Sequence, residues 1–338
     1  SYYALIVSGE NFTDALCSAP LAQKYNAPLL LTSRDTLSLE TEKELSRLKV
    51  KKVIIIGGSG VISAGIEQRI KDMGIGVSRI AGDDRYDTSI KIAQAMGQFD
   101  QAVIASGDTF PDALSIAPIA AMKGMPILLT AKDALPTNIE AYLLRTVKST
   151  YVVGGTGVIS DNVLRQLPSP KRLSGVTLYE TNVSIIEEFA KDLDFSTCYL
   201  STGENYADAL AGSALASLTN SPVILVRNPV EPSTADLVRS KMTSIKKEIV
   251  FGGTVVVPDS VLGDIHKAPD KADLPPAPAE ITATALSSTE ISLSWSPVKK
   301  ATSYYLYAST SSAGTYTQIA KVSSTNYVNT GLWADTTY

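Results

Sequence analysis

SGDTFPDAL, residues 106–114, has two relatives in the same chain: SGENFTDAL at 8–16 and TGENYADAL at 202–210. Gly9, Gly107 and Gly203 stand 98 and then 96 residues apart, and Asp14, Asp112 and Asp208 keep the same intervals. Other blocks keep step with them. APLLLT at 27–32 answers MPILLT at 125–130 and SPVILV at 221–226, and the paired glycines Gly57/Gly58, Gly154/Gly155 and Gly252/Gly253 follow three short apolar runs. A period of about 97 residues is the length of a small domain, not of a solenoid unit, so each copy can hold its own core.

Within one period short apolar runs alternate with helical spacing. Ala102 to Ala105 is a run; Ala113, Ile116, Ala117 and Ala120 share a helix face; Ile127 to Leu129 is again a run. Ile139, Leu143 and Leu144 follow at helical spacing, then the run Tyr151 to Val153. The order strand, helix, strand, helix, strand predicts a parallel sheet covered on both faces by right-handed crossovers. The fold class is therefore α/β, with three tandem Rossmann-like parallel-sheet modules.

Between copies lies a further element, SRIAGDDRYDTSIKIAQAM at 78–96, matched by KRLSGVTLYETNVSIIEEFA at 171–190. It aligns Arg79 with Arg172, Gly82 with Gly175, Tyr86 with Tyr179 and Thr88 with Thr181. A short strand, a turn at the glycine and a helix capped near Asp87 or Glu180 are expected. No such element precedes the first nonapeptide, so either it opens each module and the first has lost its start, or it closes each module and the third lacks its end. The proline cluster soon after Val257 favours the first choice. The expected domains are then module 1 at 1–78, module 2 at 79–170, module 3 at 171–266 and a linker at 267–279. From 280 to 338 the period changes to two, as in ISLSWSPV around Trp295, which predicts an all-β sandwich. Trp295 and the GLWADTTY ending resemble parts of a fibronectin type III domain that stops short of full length.

Composition removes several classes of function. No apolar run nears the roughly 20 residues of a membrane helix, and residues 1 to 7 lack the pattern of a secretory leader. A net charge of −4 argues against a broad footprint for nucleic acid or anionic membrane. Cys17 and Cys198 occupy non-equivalent positions, which suits small core residues better than a disulfide or metal site. The single histidine, His266, lies at the linker, so catalysis or zinc ligation through histidine is not expected.

The nonapeptide falls where parallel sheets meet ligands, beyond the strand ends. Gly9, Gly107 and Gly203 as turn residues, with Asp14, Asp112 and Asp208 as helix-start acids, explain its repetition by structure alone. A hydrolase built on Ser106 has no base nearby, and Asp108 with Asp112 are too few carboxylates to specify calcium. The GGSG and GGTG turns invite a dinucleotide, but Val255 replaces the last glycine in the third copy. Catalytic residues, metals and cofactors are therefore not expected. Cations are more suggestive. Arg34 and Lys132 occupy equivalent positions just past the LLLT and ILLT strands, Arg227 stands one residue short of the third, and Arg79, Arg85 and Arg172 lie in the intervening element. Repeated weak cationic sites gain avidity on a polyanion that presents many copies of its unit. The same residues also suit solvated surfaces or helix ends.

These motifs resemble the cell-wall-binding repeat type 2 family of Gram-positive surface proteins. The match rests on SGDTFPDAL, MPILLT, VVGGTGVIS and RIAGDDRYDT and spans about residues 1 to 265. The resemblance implies three Rossmann-like modules in a compact pseudo-three-fold arrangement within one chain. It implies an extracellular place, in the cell wall or S-layer, and non-covalent anchoring to an anionic secondary wall polymer, polysaccharide or teichoic-acid-like. It points to Arg79, Arg85 and Tyr86 of the RIAGDDRYDT element for polymer contact. Leu178 stands where the second arginine is expected in the third module. Alternatives are an adhesive or structural array that binds proteins or peptidoglycan, or the targeting region of a wall hydrolase whose catalytic domain lies outside this chain.

Overall fold

A computed structural model of the chain describes residues 1–267, 278–299, 301, 303–310 and 317–338. The chain divides into two compact units, Ser1–Lys267 and Ala268–Tyr338. The expected linker at 267–279 falls mostly outside the described residues.

The first unit contains the three expected parallel sheets. In the first copy the order is β1 (Tyr3–Ser8), α1 (Phe12–Ala15), α2 (Ala19–Lys24), β2 (Leu29–Thr32), α3 (Leu39–Arg47), β3 (Lys52–Ile56), α4 (Ala64–Asp72) and β4 (Gly76–Ile80). The second copy runs α5 (Arg85–Met96), β5 (Gln101–Ser106), α6 (Pro111–Lys123), β6 (Ile127–Thr130), α7 (Thr137–Thr146), β7 (Ser149–Val153), α8 (Asp161–Leu164) and β8 (Pro170–Leu173). The third is α9 (Leu178–Glu188), β9 (Thr197–Thr202), α10 (Ala207–Leu218), β10 (Val223–Val226), α11 (Pro232–Lys241), β11 (Lys247–Phe251) and α12 (Asp259–Asp264). The strand orders are β2-β1-β3-β4, β6-β5-β7-β8 and β10-β9-β11, with every pairing parallel. Both faces of each central strand are covered, so β1, β5 and β9 are buried almost throughout and read as unbroken apolar runs rather than alternating ones.

The strands of the intervening element pair with the sheets that precede them. β4 pairs with β3, Arg79 lying opposite Ile55, and β8 pairs with β7, Arg172 opposite Val152. The expected divisions at 78/79 and 170/171 therefore cut through strands. The strand of the intervening element closes the preceding sheet, and its helix covers the following one: α5 packs on β6 and α7, and α9 on β10 and α11. One element staples two modules. Helix starts also shift. Asp84 and Thr177, three residues earlier than Asp87 and Glu180, cap α5 and α9 by accepting from the Asp87 and Glu180 N–H at 2.7 and 3.2 Å. Asp87 and Glu180 reach back to the Asp83 and Val176 N–H at 3.1 and 2.6 Å, which gives reciprocal capping at each helix start.

The helices that follow the nonapeptides, α2, α6 and α10, pack against one another. A single apolar core contains Leu16, Leu114 and Leu210, one from each copy, all essentially inaccessible. Phe12, Phe110 and Tyr206 hold the same nonapeptide position, and their rings meet pairwise at 5.6, 5.8 and 5.8 Å between centroids. Three equivalent rings in mutual contact mark a pseudo-three-fold axis inside one chain. Aromatic pairs at such spacing contribute about 0.5–1.5 kcal/mol each beyond the area they bury.

The second unit is antiparallel. Strands β12 (Thr282–Ser287), β13 (Glu290–Ser294) and β16 (Asn326–Asn329) form one sheet, and β14 (Tyr304–Ala308) pairs with β15 (Thr317–Val322). Trp295 is buried and meets Tyr304 edge-on at 5.3 Å.

Candidate functional site

At the carboxyl ends of the three sheets the nonapeptides form one repeated construction. Ser8, Ser106 and Thr202 are buried at the strand ends, and their hydroxyls accept from the N–H of Glu10, Asp108 and Glu204 at 3.1, 3.0 and 3.1 Å. These hydroxyls turn the chain off the strand. The single histidine, His266, lies elsewhere, 3.0 Å from Glu248. Among the described residues no group of three or more histidine, cysteine or carboxylate side chains is placed to hold a metal.

Asp14, Asp112 and Asp208 sit in the first helical turn as expected, but their carboxylates point inward at the paired-glycine turns. A Cβ on Gly57, Gly154 or Gly252 would fall 2.8, 2.5 or 2.7 Å from Oδ2 of Asp14, Asp112 or Asp208. All three glycines have φ above +100°, so they need glycine for conformation as well as for space. The intervening element completes two of these sites. Thr88 and Thr181 donate to Asp14 and Asp112, and their hydroxyls accept from the Gly82 and Gly175 N–H at 2.9 and 3.0 Å. Burial raises the Asp14 carboxyl above its usual range, against the bond from Thr88 and the charge of Arg85. Burial lifts Asp112 further, to about 6, with the Thr181 bond opposing it. Asp112 lies at a cleft of about 420 Å³ with Thr109, Thr156, Val176 and Leu178 on its walls.

The cations divide into two groups. Arg79 donates to the Gly57 and Ile62 carbonyls at 2.7 and 3.0 Å and pairs with Glu67 at 3.1 Å. Arg172 donates to the Gly154 carbonyl at 2.7 Å and pairs with Asp161 at 3.0 Å. Their side chains are only 19% and 17% exposed. Both are therefore fixed in holding a paired-glycine turn to the next strand. Tyr86 is likewise committed: its ring edge lies 2.9 Å from where a Cβ on Gly107 would be, and Tyr179 stands the same way at 2.8 Å over Gly203.

The second group faces solvent. Arg34 donates to the Gly60 carbonyl at 2.9 Å and pairs with Asp35 at 3.5 Å. The Lys132 side chain is exposed and makes no ion pair among the described residues. Arg227 pairs with Glu231 and lies over the Tyr179 ring at 5.3 Å. Arg85 donates to the Gly107 carbonyl and stands 3.7 Å from Asp108. Arg34, Lys132 and Arg227 each follow the edge strand of a sheet, and the backbone treats the first two alike: their carbonyls accept from Ser63 and Ser160 at 2.9 Å. The aromatic contact at the axis was not singled out from sequence, although an aromatic residue in all three copies was its signal.

Comparisons with known proteins agree with this geometry. Residues 1–67, 79–164 and 172–262 match the Cell wall binding domain 2 (CWB2) family, one match per module. The chain is 38% identical over 264 residues to N-acetylmuramoyl-L-alanine amidase LytC of Bacillus subtilis, covering 78% of this chain and 52% of that protein. It is 39% identical over 234 residues to the Amidase enhancer of the same organism, covering 68% of this chain and 32% of that one. Among solved structures it resembles Cwp6 and Cwp8 from Clostridium difficile, at TM-scores of 0.71 and 0.70 and identities of 27% and 28%. These superpositions cover 81% and 78% of this chain and 45% and 46% of those proteins. The chain thus spans about half, or less, of each of these four proteins. No helix among the described residues is long and apolar enough to cross a membrane. With three matched modules in one three-fold body, the chain belongs to the Cell wall binding domain 2 family and is a wall-associated, extracellular binding region.

Proposed function

We propose that the three modules hold a secreted protein on the bacterial wall by non-covalent capture of an anionic wall polymer, with Arg34, Lys132, Arg227 and Arg85 as its contacts. The observation that carries this reading is the repetition of an exposed cation at the end of each edge strand, one per module, within a single compact unit. One exposed ion pair contributes only about 0–1 kcal/mol. Three linked sites on a polymer of repeating charge can raise affinity by about 10²–10⁴ without new contacts. The likeness to LytC and the Amidase enhancer supports an address region, whose attached domain performs the work at the wall.

The test is sedimentation of the chain with purified walls, before and after chemical removal of their anionic polymers, over a salt series. Binding is expected to fall on stripping, with rising salt, and in the variant combining Arg34→Ala, Lys132→Ala and Arg227→Ala. Equal retention on stripped walls sinks the polymer reading and leaves adhesion to peptidoglycan or to protein.

A further inference from the structure

The cleft of about 420 Å³ beside Asp112 lies between the loops that follow β5 and β7, at the place where the strand order β6-β5-β7-β8 reverses. In open parallel sheets that crevice is where ligands bind. Thr109 and Thr156 bring it hydroxyls that bond no other group among the described residues. The paired-glycine turn brings the N–H groups of Gly155, Thr156 and Gly157, which likewise take no partner among the described residues. Val176, 85% exposed, and Leu178 give it an apolar lining. Asp112, 7% exposed, is the one ionisable side chain that lines it.

The first junction repeats the hydrogen bonds of the second with a different chemistry. Where the second has Val176, Thr177 and Leu178, the first has Asp83, Asp84 and Arg85. Arg34 donates to the Gly60 carbonyl at 2.9 Å, whereas the equivalent Gly157 carbonyl accepts no bond among the described residues. In the third copy Val255 replaces this glycine. Of the three turns, that of the second junction combines a glycine here with an uncharged rim.

The lining disfavours charged ligands. An anion in the cleft meets a carboxyl and no cation, because the Arg172 guanidinium is engaged by the Gly154 carbonyl and Asp161. A cation meets only Asp112, whose carboxyl burial lifts to about 6 and so makes a weak counter-ion. A sugar hydroxyl both donates and accepts, so it can bond that carboxyl in either protonation state, the two threonines and the turn N–H groups. A few polar groups set against apolar walls, in a space of this size, are the usual make-up of a small-molecule site.

We infer that the cleft binds one uncharged pyranose unit, with its hydroxyls on Asp112, Thr109, Thr156 and the paired-glycine turn and its C–H face on Val176 and Leu178. This rests on the proposed wall capture and adds to it a contact for sugar beside those for charge, on residues the cationic reading does not use.

Amide NMR of the isotope-labelled chain, titrated with glucose, galactose, mannose or N-acetylglucosamine, each alone, tests the inference, with inorganic phosphate as the anionic control. Saturable shifts are expected at Thr109, Thr156 and Val176 with at least one sugar, and none there with phosphate. Gly157→Val supplies a blocked cleft in a native fold, since a Cβ there meets open space and the third copy already carries Val255 at this position. It should weaken the sugar by about tenfold or more. Equal affinity in Gly157→Val, phosphate binding in the cleft, or no saturable shift with any of the four sugars overturns the inference. Sedimentation with walls then locates the sugar. Weaker binding of Gly157→Val to intact walls, but not to stripped ones, assigns it to the anionic polymer; weakening on both assigns it to the peptidoglycan glycan; weakening on neither overturns the inference. Loss of wall binding in the variant combining Arg34→Ala, Lys132→Ala and Arg227→Ala, with no sugar shift in the parent chain, overturns this inference alone and leaves the polymer reading standing. Full retention on stripped walls with the sugar shifts intact sinks the polymer reading alone.

Discussion

The two junctions stapled by the intervening element differ at few places, and those places separate what builds a junction from what does not. Each has a glycine lying against the start of its helix, Gly82 or Gly175, a threonine on a buried aspartate, and a tyrosine over the next nonapeptide glycine. Each has an arginine on a paired-glycine carbonyl, Arg79 or Arg172. Where the first has Arg85 on the Gly107 carbonyl, the second has Leu178 packed over Gly203. What both junctions keep serves their construction. The guanidinium of Arg85, which only one has, is not required to build a junction.

Removing a shared feature should break both junctions alike. A Cβ on Gly82 would fall 2.6 Å from the Asp87 carbonyl carbon, and on Gly175 the same distance from that of Glu180, both backbone atoms that cannot swing aside. Gly82→Ala and Gly175→Ala are each expected to destabilise the first unit by about 3 kcal/mol or more. Gly157→Ala, where a Cβ meets open space, should be nearly neutral by comparison. Denaturant unfolding of the three variants checks this. A small loss at Gly82 with a large one at Gly175 would break the equivalence.

The aspartates should distinguish the junctions by pH. Asp112 in the folded chain titrates at about 6 against an ordinary 3.8. The folded state therefore holds a proton that the unfolded state has released, and stability falls as pH rises through that window. The difference amounts to on the order of 2–3 kcal/mol, lost by the time Asp112 is fully ionised. Asp112→Asn should flatten this slope in unfolding curves taken from pH 4 to 7. Asp14→Asn should remove a smaller share, because Arg85 opposes the rise there. An unchanged slope in Asp112→Asn would show that burial does not hold its proton.

Arg79→Ala and Arg172→Ala rank next. Each strands a paired-glycine carbonyl that its guanidinium now satisfies, at about 2 kcal/mol. Wall binding per folded molecule should be unchanged in both. A folded Arg172→Ala that no longer sediments with walls would return these arginines to the polymer site.

These arginines also show where the sequence was legible and where it was not. Repetition revealed three sheets, because each module must rebuild the same local pattern, and the apolar runs of β5, β6 and β7 lie where the spacing of Ala102–Ala105, Ile127–Leu129 and Tyr151–Val153 puts them. A repeat fixes a period but not a phase. Whether β4 belongs to the sheet before it or after it is decided by pairing with Lys52–Ile56, a contact between segments that local pattern does not encode. Repetition also cannot distinguish a residue kept for a ligand from one kept for a turn: Arg79 and Lys132 both recur, and of the two only the Arg79 side chain bonds turn carbonyls among the described residues. The caps at Asp84 and Thr177 were hidden because the acids three residues later belong to the same reciprocal arrangement.

The smallest expected change is the one most informative about function. Arg85→Leu converts the first junction into a likeness of the second, where Leu178 already covers the nonapeptide glycine. Its lost bond to the Gly107 carbonyl is partly exposed, so stability should change by less than about 1 kcal/mol. If Arg85 contacts the polymer, wall binding should nonetheless weaken, and its salt dependence should become shallower by the loss of one cation. A fall in stability with unchanged binding would instead make Arg85 a fourth framework residue and leave Arg34, Lys132 and Arg227 as the whole of the cationic site.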